Sequence, residues 1–127
     1  MNALKLFSST PANDYMHFYD GGKFNPKKVI TDLKFKAEQV SIATKLPKGT
    51  IRYDEKMSNE LRIKIEEWAT AINLVANFFQ DTNKTVLWFN TPNPQLANLR
   101  PKEMILCGRF KKLLAFIHYA LDLNHRD

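Results

Sequence analysis

The sequence contains a single cysteine and no apolar run long enough to cross a membrane. One cysteine cannot form an internal disulfide, which favours a reducing compartment. The N-terminal stretch lacks the long apolar segment of a secretory signal, and a transmembrane helix would need about 18 or more consecutive apolar residues. We therefore expect a cytoplasmic protein that does not have a membrane as a partner.

Motifs for catalysis and for cofactor binding are also missing. The chain has no HExxH, CxxC or GxSxG motif and no glycine-rich phosphate loop. His17, His118 and His125 are scattered, and none stands at metal-ligand spacing from Cys107. For Cys107 we expect a half-buried apolar role rather than a reactive thiol. These absences predict a protein that is not an enzyme and that uses no cofactor or metal.

The net charge is positive but evenly spread along the chain. Lys and Arg number 19 against 13 Asp and Glu, which gives a net charge of +6. Residues 1–60 carry 10 basic and 7 acidic side chains, and residues 61–127 carry 9 and 6, so each half contributes +3. Positive charge favours an anionic partner such as nucleic acid, but a solvated surface of mixed charge explains it equally well.

The apolar pattern predicts an all-α fold, a compact helical domain of about six to seven helices. The chain has 127 residues, of which 44% are hydrophobic, and this suits a single compact domain. Asn25 followed by Pro26 predicts a helix start. The longest helix begins after Ser58 or Asn59 and carries apolar residues at spacings of three and four.

Shorter helices are predicted on either side of residue 100. Asp81 or Thr82 can cap a short helix that holds Val86, Leu87 and Phe89, and Gly108 should end the helix that begins at Pro101. Residues 1–24 form an irregular arm with turn signals, but its aromatic cluster YMHFY would be unusual in a free tail. We expect part of this arm to dock on the body of the protein.

Residues 35–53 have the layout of a helix-turn-helix. Val40 and Ala43 repeat at helical spacing, and Pro47 ends the first helix and can begin a second. In this motif the second helix lies in the major groove of DNA. A helical hairpin used for packing or dimerisation fits the pattern equally well. The candidates for DNA contact are Lys45, Lys48, Thr50, Arg52 and Tyr53.

The stretch WFNTPNPQLANLRP, residues 88–101, joins two predicted helices. Its prolines restrict the unfolded chain and fix the loop in an extended shape. A loop fixed in this way can present side chains to a partner at little entropic cost. The resemblance described next implies that five of its residues hold the shape: Trp88, Pro92, Pro94, Leu96 and Pro101.

This stretch resembles the toxin-binding domain of the Xre/MbcA/ParS antitoxins. The resemblance rests on a Trp, a Pro-Asn-Pro core followed by Leu, a Pro with an acidic residue two positions later, and a closing helix. Residues that fall on this pattern in order are Trp88, Pro92, Asn93, Pro94, Leu96, Pro101, Glu103, Ile105, Leu106, Gly108, Leu113, Leu114 and Ile117. Upstream, FKAEQVSIATKLPKGTIRY is similar to the Xre-type helix-turn-helix of the same family.

The resemblance implies an antitoxin of a type II toxin-antitoxin system, with an irregular arm over residues 1–24. Residues 25–80 would form an Xre-like helix-turn-helix lobe with a long linking helix, and residues 81–127 a helical toxin-binding lobe. Such a protein covers the NAD pocket of an ADP-ribosyltransferase-like toxin, often as a homodimer that also binds operator DNA. The alternative is a DNA-binding repressor whose C-terminal half serves oligomerisation. The residues expected to contact the toxin are Asn93, Gln95, Asn98, Arg100, Arg109, Lys112 and Arg126.

Overall fold

The computed structural model describes Pro11 and residues 13–124, and within them the fold is helical, as predicted. Six α-helices follow a hairpin of two very short antiparallel strands, and two single 3₁₀ turns interrupt the loops. The elements are β1 (Tyr19–Asp20), β2 (Lys23–Phe24), α1 (Pro26–Leu33), α2 (Ala37–Thr44), a 3₁₀ turn (Lys48–Thr50), α3 (Asn59–Phe79), α4 (Thr82–Phe89), a 3₁₀ turn (Pro94–Leu96), α5 (Pro101–Leu106) and α6 (Phe110–Asn124).

The long helix α3 lies at the centre of the fold and packs against α1, α4 and α6. Its predicted start is confirmed, because the Ser58 side chain accepts a hydrogen bond from the Leu61 N–H at 3.2 Å. Helix α2 packs on α5, so contacts cross the boundary predicted at residue 80. The buried face of α3 carries Leu61, Ile65, Trp68, Ala69, Ala71, Ile72, Asn73, Val75 and Ala76.

The predicted start of α1 is also confirmed. Asn25 accepts a hydrogen bond through its side chain from the Lys28 N–H at 3.3 Å, and Pro26 is the first helical residue. Because Pro has no N–H and a fixed φ, it fits the first position of a helix without loss. Val29, Ile30 and Leu33 are buried on the core face, as the spacing predicted.

The arm before α1 docks on the body over the residues that the structure describes. Met16 and Phe18 are buried completely or nearly so. The Met16 N–H donates to Oδ1 of Asn73 on α3 at 2.9 Å, and Nδ2 of Asn73 donates to Asp14 at 2.9 Å. The docking predicted from the aromatic cluster is therefore confirmed for this part, while residues 1–10 and residue 12 lie outside the described residues.

The second helix of the predicted helix-turn-helix does not form. Residues Lys48–Thr50 make only one 3₁₀ turn, and the backbone is extended again at Ile51. Gly49 at the centre of this segment has low helix propensity. Thr50 closes the turn, because both its N–H and its hydroxyl donate to the carbonyl of Pro47. The prediction of a DNA-recognition helix beginning at Pro47 is therefore wrong.

In the C-terminal half, α4 buries only one face, and Cys107 departs from its predicted burial. Leu87 is 65% exposed, whereas Phe89 is buried. An eight-residue helix that packs on α3 along one side buries only the positions of that face, and Leu87 falls outside it. Cys107 is exposed rather than half-buried. It follows the last residue of α5, and the chain turns at Gly108 with a φ of +80°.

None of the helices in the described part of the chain is both long and apolar enough to cross a membrane.

Candidate functional site

The loop between α4 and α5 is organised around Asn93. Its N–H donates to the carbonyl of Leu99 at 3.0 Å, and its own carbonyl accepts from the N–H groups of Leu96 and Asn98. Its side chain accepts from the Gln95 N–H at 2.9 Å and so caps the 3₁₀ turn. Asn93 was predicted to contact a partner, but the structure places its half-buried side chain in the internal framework of the loop.

The predicted shape-holding residues fall into three groups that differ in burial. Leu96 and Pro101 are buried. They anchor the chain on either side of the segment that joins the 3₁₀ turn to α5. Pro92 and Pro94 are exposed on either side of Asn93, and Pro94 is the first residue of the 3₁₀ turn. Trp88 is half-buried, and its ring meets that of Phe89 edge-on at a centroid distance of 4.9 Å.

The tip of the loop presents Gln95 and Asn98 to solvent. Ala97 and Asn98 both have left-handed backbone conformations, with φ of +58° and +64°. Asn tolerates this conformation better than most residues, whereas Ala does so at a cost. These two consecutive residues reverse the chain, so that Leu99 returns to pair with Asn93. The exposed side chains at the tip are therefore displayed on a closed, hydrogen-bonded turn.

Arg100 holds the base of the loop. Its Nε donates to the carbonyl of Asn90 at 3.2 Å, and its Nη1 lies 3.5 Å from Oε1 of Glu103. The same carboxylate accepts from the Arg100 N–H at 2.7 Å and so caps α5. Arg100 was predicted to contact a partner, but these bonds join the first and last residues of the loop.

An apolar cleft lies beside the loop, between the end of α3 and the second half of α6. It has a volume of about 180 Å³. Phe78 on its wall is 43% exposed, and Gln95 at its edge belongs to the tip of the loop. The residues that line this cleft are Val75, Phe78, Phe79, Trp88, Asn93, Gln95, Phe116, Ile117, Ala120, Leu121 and Asn124.

Sequence reasoning missed this cleft, although two signals point towards it. The end of α3 carries two adjacent phenylalanines, Phe78 and Phe79, which one helix face cannot bury together. The second half of α6 likewise has apolar residues, including Leu123 at 42% exposed, beyond the stripe of Leu113 and Ile117 that reaches the core. Neither signal shows by itself that the two surfaces meet.

Two further predicted partner contacts, Arg109 and Lys112, are not at this cleft. Both are exposed at the start of α6, where they line a different cleft. Arg126 lies outside the described residues. The structure thus brings Asn93, Gln95 and Trp88 together around the apolar cleft and places Arg109 and Lys112 at the other end of α6.

The residues predicted to contact DNA do not form a continuous row of unpaired basic side chains. Lys48 pairs with Glu38 at 2.9 Å, and the guanidinium of Arg52 pairs with the carboxylate of Asp54 at 2.5 Å. These partners hold the pKa of the Glu38 and Asp54 carboxyls below their usual values.

The remaining three predicted DNA contacts also serve the local structure. Burial raises the pKa of Tyr53, which is half-buried against the core. Lys45 ends α2 in a left-handed conformation, and the Thr50 hydroxyl is bonded to Pro47. Their side chains are therefore not aligned along one exposed helix.

Two titratable groups near the base of the loop are perturbed by their surroundings. Burial raises the pKa of Asp32 on α1, and the charge of Lys28 opposes this only partly. The Asp32 carbonyl accepts from Nδ2 of Asn90 at 3.1 Å. Burial and the nearby charge of Arg100 lower the pKa of Lys102. Among the described residues, no group of three or more His, Cys, Asp or Glu side chains is placed to hold a metal ion.

Comparisons with protein-family models, with curated proteins and with solved structures find no match to this chain. A function is therefore inferred from the geometry of the loop and its cleft, together with the resemblance in the sequence of the loop.

Proposed function

We propose that this protein is an antitoxin that binds a toxin of the ADP-ribosyltransferase-like class and covers its NAD pocket. The contact surface is the tip of the Pro-Asn-Pro loop together with the apolar cleft beside it. One observation carries this proposal: the exposed, hydrogen-bonded loop and the apolar cleft form one continuous surface. Gln95 belongs to the tip of the loop and also lines the cleft, and Phe78 on the wall of the cleft is half-exposed.

The size of the apolar cleft favours a protein partner over a small molecule. Pockets for drug-sized ligands have volumes of about 300–1,000 Å³, whereas this cleft has about 180 Å³. That volume suits one large apolar side chain of a partner. Anchors of this kind, inserted into a pocket and surrounded by a polar rim, dominate the binding energy of protein interfaces. Here Gln95 and Asn124 supply polar groups at the rim.

The internal bonds of the loop favour binding in a second way. A loop that must be ordered on binding loses affinity, because each immobilised side chain costs free energy. The backbone bonds of Asn93 to Leu96, Leu99 and Asn98 fix this loop without a partner. Gln95 and Asn98 then remain as the exposed polar groups at its tip, while Arg100 serves the loop itself.

The resemblance of WFNTPNPQLANLRP to the Xre/MbcA/ParS toxin-binding domain supplies the class of the partner. Inhibition would follow from occlusion of the toxin's pocket and would require no chemistry from this chain. The alternative function, a DNA-binding repressor, has weaker support, because residues 47–53 form one 3₁₀ turn and an extended segment. Homodimer formation and control of its own operon stay predictions from the resemblance.

The test is co-expression of this protein with the product of the neighbouring gene, followed by purification through a tag on one partner. We expect a stable complex and rescue of growth. Phe78→Ser should weaken both, because it removes an apolar wall of the cleft. Leu87→Ser is the matched control: Leu87 is also an exposed apolar residue, at 65%, but it does not line the cleft. Equal rescue by the two variants, both folded, would exclude the cleft as the contact surface.

A further inference from the structure

A second cleft lies at the start of α6, at the opposite end of that helix from the apolar cleft. It has a volume of about 460 Å³. Residues from the end of α2, the middle of α3, α5 and the first turn of α6 contribute to it. These residues are Ala43, Thr44, Lys45, Lys64, Glu67, Trp68, Ile105, Gly108, Arg109, Phe110, Lys111 and Lys112.

The charge of this cleft is strongly one-sided. Five of its lining side chains are cationic and one, Glu67, is acidic. Within the described part of the chain, the ion pairs are those of Lys48, Arg52 and Arg100, and none involves a cation of this cleft. The whole chain has a net charge of only +6. Much of its uncompensated positive charge is therefore gathered around one concavity.

The walls of the cleft strengthen the attraction of an anion. Trp68 and Ile105 border it and are only 3% and 1% exposed, so the cleft lies directly on the apolar core. Charges act more strongly on one another beside an apolar surface than in water. The first turn of α6 also borders the cleft, and the N–H groups of a first turn lack acceptors within the helix. The helix dipole adds to the positive potential there.

We propose that this cleft binds a compact anion with two or more adjacent phosphate groups, such as the phosphate chain of a nucleotide. The cations stand on α2, on α3 and at the start of α6, so a chain of phosphates offers anionic oxygens to all three groups. The volume lies in the range of small-molecule pockets. This site goes beyond the proposed antitoxin function, because it shares no lining residue with the apolar cleft.

Nucleic acid also carries adjacent phosphates, so the experiment must distinguish binding of a compact polyphosphate from binding of nucleic acid. The concave shape favours a compact anion, since a duplex presents its phosphates along an extended convex surface. Tripolyphosphate is the probe for the compact anion, and a duplex DNA of arbitrary sequence is the probe for nucleic acid. Both are titrated calorimetrically into the full-length protein at low and at physiological salt.

The test variant is Lys111→Glu with Lys112→Glu. Glu is favoured in the first turn of a helix, so the fold of α6 should survive. The matched control is Lys27→Glu with Lys56→Glu, which changes the net charge equally at exposed positions outside the cleft. We expect tripolyphosphate to bind the wild type and the control, and to bind the cleft variant about tenfold or more weakly.

A second variant, Lys45→Ser with Lys64→Ser, removes cations from α3 and from the end of α2. It tests whether the weaker binding of the first variant comes only from a disturbed α6. It should also weaken tripolyphosphate binding, while circular dichroism shows an unchanged fold. Three outcomes would overturn the proposal: no binding of tripolyphosphate by the wild type, equal weakening in the cleft variant and the control, or binding of duplex DNA without binding of tripolyphosphate.

Discussion

Arg100 donates from Nε to the backbone carbonyl of Asn90 at 3.2 Å, and this bond closes the loop that carries the Pro-Asn-Pro sequence. Asn90 in turn donates from Nδ2 to the carbonyl of Asp32 on α1 at 3.1 Å. The base of the loop is thus tied to a helix from the N-terminal part of the chain. The order of the exposed tip therefore depends on bonds made well away from it.

Replacement of Arg100 by Ala should destabilise the fold by about 1–2 kcal/mol, because the carbonyl of Asn90 loses a charged donor. Lys should recover little of this loss, since it lacks the planar fork of Arg. Urea denaturation measures the effect. Arg109→Ala is the control, because Arg109 is exposed, and its cost should stay within about 0.5 kcal/mol. Equal costs for the two Ala variants would contradict the role given to Arg100.

Asn93→Ala should cost about 1 kcal/mol, since the 3₁₀ turn loses the side-chain acceptor of the Gln95 N–H. Asn93→Asp keeps an oxygen at that position and should behave almost as the wild type. The comparison is made by thermal denaturation and by hydrogen exchange of the Gln95 amide. If Asp were as damaging as Ala, the capping role given to the side-chain oxygen of Asn93 would be wrong.

Gly108→Ala should destabilise the protein by about 1–2 kcal/mol, although a Cβ there would meet no atom within 4 Å. The reason is its φ of +80°, which an L-residue adopts only with strain. Gly49→Ala is the contrast: its Cβ would also meet nothing within 4 Å, and its φ is not in the left-handed region. This change should stabilise the fold by about 0.4–1 kcal/mol. Equal changes in the denaturation midpoint would refute the distinction.

Asp32 should make the protein less stable as the pH rises. Burial raises the pKa of Asp32 in the folded state above its ordinary value of 3.8. The folded state therefore binds more protons than the unfolded state between these two pKa values, and stability falls as the pH rises through that window.

Asp32→Asn should remove this loss and stabilise the protein at neutral pH. Because the side chain is only partly buried, we expect a gain of up to about 1 kcal/mol. Urea midpoints of wild type and variant, measured across acidic to neutral pH, give the difference. Asp20→Asn, at an exposed position, is the control. A variant whose advantage did not grow with pH would contradict this assignment.

Where local sequence signals determine the structure, the sequence predicted it correctly. Asn25 with Pro26, and Ser58 before the apolar stripe of α3, define helix starts through their own side chains. Lys48–Thr50 shows the opposite case. The similarity to a helix-turn-helix suggested a second helix there, but Gly49 and the bonds of Thr50 to Pro47 favour a single turn.

The candidate site was predictable only in part. The prolines predicted a rigid loop, but they did not show which of its side chains stabilise the loop and which face solvent. Whether Asn93 or Arg100 faces a partner depends on backbone carbonyls such as that of Asn90, whose positions the sequence does not reveal. Both clefts are lined by residues that are distant in sequence, such as Phe78 and Leu121 in one and Lys45 and Lys112 in the other. Which residues line the same cleft depends on the tertiary packing of the helices.

The junction between α1 and α2 makes this protein a candidate for exchange of its N-terminal part between two molecules. No Gly or Pro stands between Pro26 and Pro47. The break falls at Lys34, at a φ of +56°, and Phe35 packs edge-on against Trp68 at a centroid distance of 5.7 Å. Loss of that contact in Phe35→Ala would allow one continuous helix, whose α1 could then pack on α3 of a second copy. We expect this variant to gain helicity and to elute as a dimer at high concentration, whereas a destabilised monomer would exclude the exchange.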